Sequence, residues 1–263
     1  MEEKKSSYIE YLKLAAILVI PMLFLSLYSF YNGEIGWDFT LQKANIADYF
    51  IVKEAGIDLQ LEEDTIEEKS TTVVCDTSSQ RILFFGDSML EGLSKRLRQY
   101  AAENNHELLN VIWYSSSTKV WGQHPDTIAH FIRDFQPTYI FVCLGANELF
   151  IGSPEKNETY IQQILAQIGN IPYIWIGPPN WKEDTGINAV IEKTVAPNHF
   201  FPSKRLKYER AKDGAHPTTA SAAMWMDSIA VWVNDSINYR ISMSFPQENN
   251  KSKGTTVLLK PLN

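Results

Sequence analysis

The chain has 263 residues, with 24 Lys and Arg against 31 Asp and Glu and a formal net charge of −7. That balance lacks the clustered cations that phosphate neutralisation requires, which excludes nucleic acid as the main partner. With 44% hydrophobic and 21% charged residues the chain builds a core, and its two cysteines exclude a disulfide scaffold and a cysteine-built zinc module.

Residues 14–33 form an uncharged run of 20 residues rich in Leu, Ile, Val, Phe and Tyr. As a helix this run spans about 30 Å, the hydrocarbon thickness of a bilayer, and Pro21 is of a kind that membrane helices tolerate. Lys4, Lys5 and Lys13 precede it, and no cation follows before Lys43. The positive-inside rule therefore keeps residues 1–13 in the cytoplasm and places the remainder outside. The run is longer than a signal-peptide core of roughly 7–15 residues, and it exits through Tyr28-Ser29-Phe30-Tyr31 instead of small residues. The expectation is one uncleaved transmembrane signal anchor. Residues 34–70 follow as a juxtamembrane helix over 39–52 and an acidic, solvated linker, in which residues 53–70 hold seven acids and two bases.

From residue 71 the pattern alternates. The continuous apolar run at 82–85 reads as a strand buried on both faces, 139–144 as another buried strand, and 108–114 and 171–176 as further strands, with short candidates at 71–74 and 199–201. Helical spacing marks 89–102, 127–135 and 158–168, and a last helix opens at Pro217 and runs through Val233. Strand–helix alternation means an α/β domain over 71–240, with a parallel sheet of about five strands and helices on both faces. Residues 241–263 read as a polar, loosely attached tail.

Ligands of such sheets bind beyond the C-terminal strand ends. After the first strand stands Gly86-Asp87-Ser88, which puts Ser88 at a helix start; after the third stands Gly145-Ala146-Asn147-Glu148; before the last helix stands Asp213-Gly214-Ala215-His216. These suit acyl transfer: Ser88 as nucleophile, His216 as its base, Asp213 fixing the imidazole tautomer, and the Asn147 amide donating to an oxyanion.

In their order and spacing these residues resemble the SGNH (GDSL-type) hydrolase superfamily. Gly86-Asp87-Ser88 is similar to its first block, Gly145-Ala146-Asn147-Glu148 to its third and Asp213 with His216 to its fifth, over residues 80–237. The resemblance implies a flavodoxin-like sheet, ester hydrolysis or the related O-acyl transfer, and no cofactor. Two positions depart from the pattern. Glu148 stands where aspartate is common, and the second block, Tyr114-Ser115-Ser116-Ser117-Thr118, has no glycine. The oxyanion hole then comprises the N–H of Ser88, the Asn147 amide and a third donor. That donor is the N–H of Ser116 or Ser117, with Ser117 carried forward, or of Gly122 folded back. Serine-bearing second blocks resemble those of envelope O-acetyl esterases and transferases. This implies a bacterial envelope polysaccharide or peptidoglycan sugar carrying small acyl groups as substrate, with envelope acyl-transfer proteins as partners. The alternatives are a lipase or thioesterase of the same fold, and a non-catalytic envelope scaffold that keeps a triad.

Trp121 and Trp181 are the candidate substrate contacts; Trp181 follows Gly177-Pro178-Pro179-Asn180 at a strand end, where an aromatic serves as a sugar platform or as a packed rim. Trp175, Trp225 and Trp232 fall at core positions. His106, His124, His130 and His199 show no metal-ligand spacing, so no metal is expected, and a Cys75–Cys143 disulfide stays open.

Overall fold

The computed structural model describes residues 75–195, 197–247 and 251–260. The transmembrane anchor, the juxtamembrane helix, the acidic linker and the strand expected at 71–74 lie outside the described residues. Among the described residues no helix is long and apolar enough to cross a membrane.

The elements run β1 (Arg81–Gly86), α1 (Met89–Glu103), β2 (Glu107–Trp113), α2 (Thr118–Gln123), α3 (Pro125–Phe135), β3 (Tyr139–Cys143), α4 (Glu158–Ile168), β4 (Tyr173–Ile176), α5 (Ile187–Thr194), β5 (Phe200–Phe201), α6 (Thr219–Asp235) and β6 (Thr255–Leu259). The strands form one sheet in the order β5-β4-β3-β1-β2-β6, parallel at every pairing. Apart from β6 this is the doubly wound flavodoxin order, and its switch point falls between β1 and β3.

The apolar strands split by the two-residue period of a pleat. Ile82, Phe84, Phe141 and Ile174 face Leu90, Leu93 and Leu97 of α1 and Trp225, Met226 and Ile229 of α6. Leu83, Phe85, Val142 and Trp175 face Trp121 of α2, Ile128 of α3, Ile161 and Ile164 of α4 and Ile191 of α5. Both faces of β1 and β3 are therefore dry, which is why those segments are continuously apolar. Their backbones also lie close together. A Cβ on Gly86 would sit 2.0 Å from the Cys143 carbonyl oxygen, so only glycine fits where β1 ends beside β3.

Two expectations are corrected. Among the described residues the sheet has six strands, and the C-terminal segment is not a loose polar tail. Thr255–Leu259 pairs with β2 in parallel register, Val257 opposite Val111. Ile241 and Met243 are buried in the core, and Ile241 bridges to Asp76 through Asp76 N–H donating to Arg240 O (2.8 Å) and Ser242 N–H donating to Asp76 O (3.0 Å). The β6 signal is weak because this edge strand is half-exposed and its flanks are polar. The last helix begins at Thr219, two residues after Pro217, because Thr218 caps it by accepting from Ser221 N–H (3.3 Å).

Candidate active site

The turn from β1 into α1 places Ser88 beyond the sheet edge, half-buried, directly before the first helical turn. The first N–H groups of a helix have no intrahelical acceptor, so the backbone around Ser88 offers donors to an anion. The Ser88 Oγ caps nothing in α1. It lies instead 2.9 Å from His216 Nε2, and His216 Nδ1 lies 2.7 Å from Asp213 Oδ2. The serine that the sequence places after β1 and the Asp213–His216 pair that it places before the last helix thus form one hydrogen-bonded relay.

The loop before α6 makes this geometry. Gly214 adopts φ +71°, a left-handed conformation suited to glycine, and turns the chain so that Asp213 Oδ1 accepts from both Ala215 N–H (2.9 Å) and His216 N–H (3.0 Å). Those donors, led by the Ala215 N–H, and the His216 side chain hold the Asp213 carboxyl down at about 2. It stays ionised and orients the imidazole with Nδ1 protonated, leaving Nε2 as the acceptor for the Ser88 proton. Ala211 N–H donates to His216 O (2.8 Å) and Thr218 N–H to Glu209 O (2.9 Å), which closes the loop into a short antiparallel turn. Arg210, unremarked in the sequence, anchors it. Its guanidinium donates to Ala215 O (2.8 Å), to Asn180 O (3.0 Å) and to Pro179 O, tying the His216 loop to the segment after β4.

The second-block loop distinguishes the backbone N–H groups of the two serines. Ser116 N–H is consumed by Trp113 O (3.1 Å) in a tight turn. Ser117 caps α2, with its side chain accepting from Val120 N–H, and none of the described bonds takes the Ser117 N–H. Gly122 does not fold back: it packs inside α2, where a Cβ would lie 2.9 Å from Tyr160. Asn147 Nδ2 donates to Ser116 O (2.8 Å), which joins the third-block loop to the second and leaves the other amide hydrogen for a ligand. Glu148 is buried behind them. Its carboxylate accepts from Thr118 N–H (3.0 Å), Thr118 Oγ1 (2.6 Å) and the Asn157 amide, so it locks the start of α2 against the Asn147 turn. Burial raises its pKa against the pull of these bonds.

Ser115 carries φ +58° and is exposed. A left-handed conformation costs a residue with a Cβ roughly 1–2 kcal/mol, partly offset for glycine by its larger unfolded-state entropy. Ser115→Gly is expected to stabilise the fold by about 0.5–1 kcal/mol, read as a higher thermal midpoint.

Asp87, beneath the nucleophile, is fully buried; Oδ1 accepts from Met89 N–H (2.9 Å), and Oδ2 has no partner within hydrogen-bond distance among the described residues. Burial, with the nearby Glu148 adding to it, pushes its carboxyl up to about 7. The folded state then holds this proton more tightly than the unfolded chain does. Stability falls as pH rises from about 4 through 7, and the loss is complete above that window. Asp87→Asn, which keeps an acceptor for Met89 N–H and cannot ionise, is expected to flatten this slope. Thermal melts at pH 5 and pH 8 should show the larger gain at pH 8.

Of the two tryptophans expected to contact substrate, Trp121 is corrected. It is fully buried between Phe85 (centroids 4.8 Å apart) and Trp113 (5.4 Å), and its Nε1 donates to Ser116 Oγ (2.9 Å), so it supports the second-block loop from inside. Trp181 is half-buried at the rim; its Nε1 donates to Ala146 O (3.0 Å), and its ring meets the exposed Phe150 edge-on at 5.8 Å. His124 Nδ1–H donates to Val120 O (2.7 Å) in an ordinary helix junction. Both cysteines are free, with Cys143 inside β3. Among the described residues no group of three or more His, Cys, Asp or Glu side chains could hold a metal ion.

No protein-family description matches the chain, and no curated protein matches it. Among solved structures it is similar to AlinE4, an SGNH-hydrolase family esterase, at 20% identity and a TM-score of 0.37, covering 59% of this chain and 95% of that one. It is also similar to BT4096, a gut microbial diltiazem-metabolizing enzyme, at 12% identity and a TM-score of 0.32, covering 65% of this chain and 38% of that one. What its site can do follows from its own geometry.

Proposed function

We propose that the chain is a membrane-anchored serine esterase or O-acyltransferase of SGNH type, acting outside the cell on small acyl esters of an envelope polysaccharide or peptidoglycan sugar. The observation that carries the reaction class is the Ser88–His216–Asp213 relay, at 2.9 and 2.7 Å, poised over the N-terminus of α1. Ser88 Oγ attacks the acyl carbon as His216 Nε2 takes its proton. The oxyanion is met by the Ser88 and Ser117 N–H groups and by Asn147 Nδ2. His216 returns the proton to the leaving alcohol, and water or an acceptor hydroxyl then collects the acyl group from Ser88. An assembled relay favours this reading over a scaffold protein that merely retains the residues.

The cavity that holds Ser88 and His216 measures about 140 Å³. Pockets for larger ligands run roughly 300–1,000 Å³, so a small acyl group such as acetyl suits the site better than a fatty chain. The envelope location rests on the uncharged run 14–33 and its lysine asymmetry. Two experiments test the reading. The full-length protein in detergent should hydrolyse p-nitrophenyl acetate and take a stoichiometric label from a serine-directed phosphonate; failure of both removes the esterase assignment. A tag placed after Asn263 should be digested by protease in intact spheroplasts, and a protected tag reverses the topology.

A further inference from the structure

We propose that the groove between α1 and α6 binds the alcohol moiety of the ester and that this moiety is a carbohydrate, an assignment that rests on the serine-esterase reading of the Ser88 site. The depression holding Ser88 and His216 shares Gly92, Lys95 and Thr219 with a neighbouring cavity of about 550 Å³. The larger cavity follows one stripe of each helix: Gly92, Lys95, Arg96 and Gln99 on α1, and Thr219, Ala223 and Asp227 on α6, at the three- and four-residue spacing of a helix face. Both helices start at the sheet edge that carries the nucleophile, so the groove leads away from Ser88 along the flank of the domain. Its size is that of a small-ligand pocket.

The direction of the substrate follows from the relay. Asn147 and Ser117, the oxyanion donors, line neither cavity, whereas His216 lines the smaller one. When the bond between acyl carbon and alcohol oxygen breaks, that oxygen must lie within hydrogen-bond reach of His216 Nε2 to receive the proton taken from Ser88. The alcohol therefore departs on the His216 side, where the groove opens.

The lining chooses the class of alcohol. Phe245 is 56% exposed; the Arg96 guanidinium lies 4.6 Å from its ring centre, and Tyr100 meets it edge-on at 6.2 Å, so the ring is held as a platform. Around it stand Gln99, Gln247 and Asp227, whose carboxylate is itself fixed by Arg96 Nε (2.7 Å) and Tyr100 Oη (2.9 Å). Lys95, at the joint of the two cavities, forms no ion pair among the described residues. An aromatic face ringed by amides, a carboxylate and an ammonium matches a sugar, with C–H faces for the ring and hydroxyls for the polar groups. A hydrocarbon chain would strip water from those groups and return no hydrogen bonds.

The test compares the detergent-solubilised full-length protein with Phe245→Ala, Phe245→Trp and Gln247→Ala on p-nitrophenyl acetate and on O-acetylated chitotetraose. Phe245 and Gln247 line only the larger cavity. For the Ala variants, the ratio of kcat/KM on the oligosaccharide to that on the nitrophenyl ester should fall at least tenfold, through KM, while Phe245→Trp restores it. An unchanged ratio overturns the groove. Should the parent protein cleave neither ester, the esterase reading fails by itself. The groove is then judged by calorimetric titration with unmodified chitotetraose: binding weakened at least tenfold in Phe245→Ala supports it, and no binding to the parent, or equal binding to both, overturns it.

Discussion

Replacing Ser88 with alanine is expected to lower ester turnover by about five to six orders of magnitude, the scale seen when a triad nucleophile is removed. The fold should hardly register the change. Ser88 Oγ makes its bond to His216 and caps no backbone group of α1, so the variant loses one half-buried hydrogen bond, a matter of about 1 kcal/mol. Asp87, which does hold the start of α1 through Met89 N–H, is untouched. Circular dichroism and a thermal melt would confirm an intact domain, and a pre-steady-state assay would show the acyl-enzyme burst gone. Ester hydrolysis within tenfold of the parent would remove Ser88 from the role of nucleophile.

The contrast between Ser88 and Trp121 shows what the sequence carries and what it leaves to the fold. Ser88 is legible because two local signals coincide: an apolar run ends at Gly86, and helical spacing begins at Met89, so the serine must sit at the sheet edge. Asp213 and His216 are legible because three residues make one turn. Trp121 lies in α2, a six-residue helix too short for periodicity to reveal, and without that helix its ring could be placed at the mouth of the site as easily as beneath it. The fold puts it beneath, against Phe85 and Trp113. Arg210, and the anchoring contacts of Glu148, escape notice for another reason. Each acts through carbonyls or N–H groups of segments distant in sequence: Arg210 at Asn180 and Ala215, Glu148 at Thr118. Backbone partners leave no trace in side-chain spacing. β6 stays hidden because an edge strand buries little and its flanks are polar.

Asn147→Ala should cost roughly 10²–10³ in kcat and leave KM almost unmoved, as removal of a single oxyanion donor does. The asymmetry between the two constants arises because the carbonyl of a bound ester asks little of the amide, whereas the charged oxygen of the tetrahedral intermediate asks much. Asn147 also has a structural duty, since Nδ2 donates to Ser116 O at 2.8 Å and so helps to fix the loop that presents the Ser117 N–H. That bond is replaceable by water at a half-buried position, so a fall in thermal midpoint worth about 1 kcal/mol is expected beside the kinetic loss. The two duties separate in measurement. If Asn147 served the loop alone, the variant would lose stability and keep kcat, or lose KM and kcat together as the site loosened. Asn147→Asp sharpens the distinction. It matches the amide in shape but brings a negative charge toward both Ser116 O and the developing oxyanion, so its kcat should fall at least as far as that of the alanine variant. A normal kcat in Asn147→Ala, whatever its melting behaviour, would take the third-block asparagine out of the oxyanion hole and leave Ser88 and Ser117 to supply it.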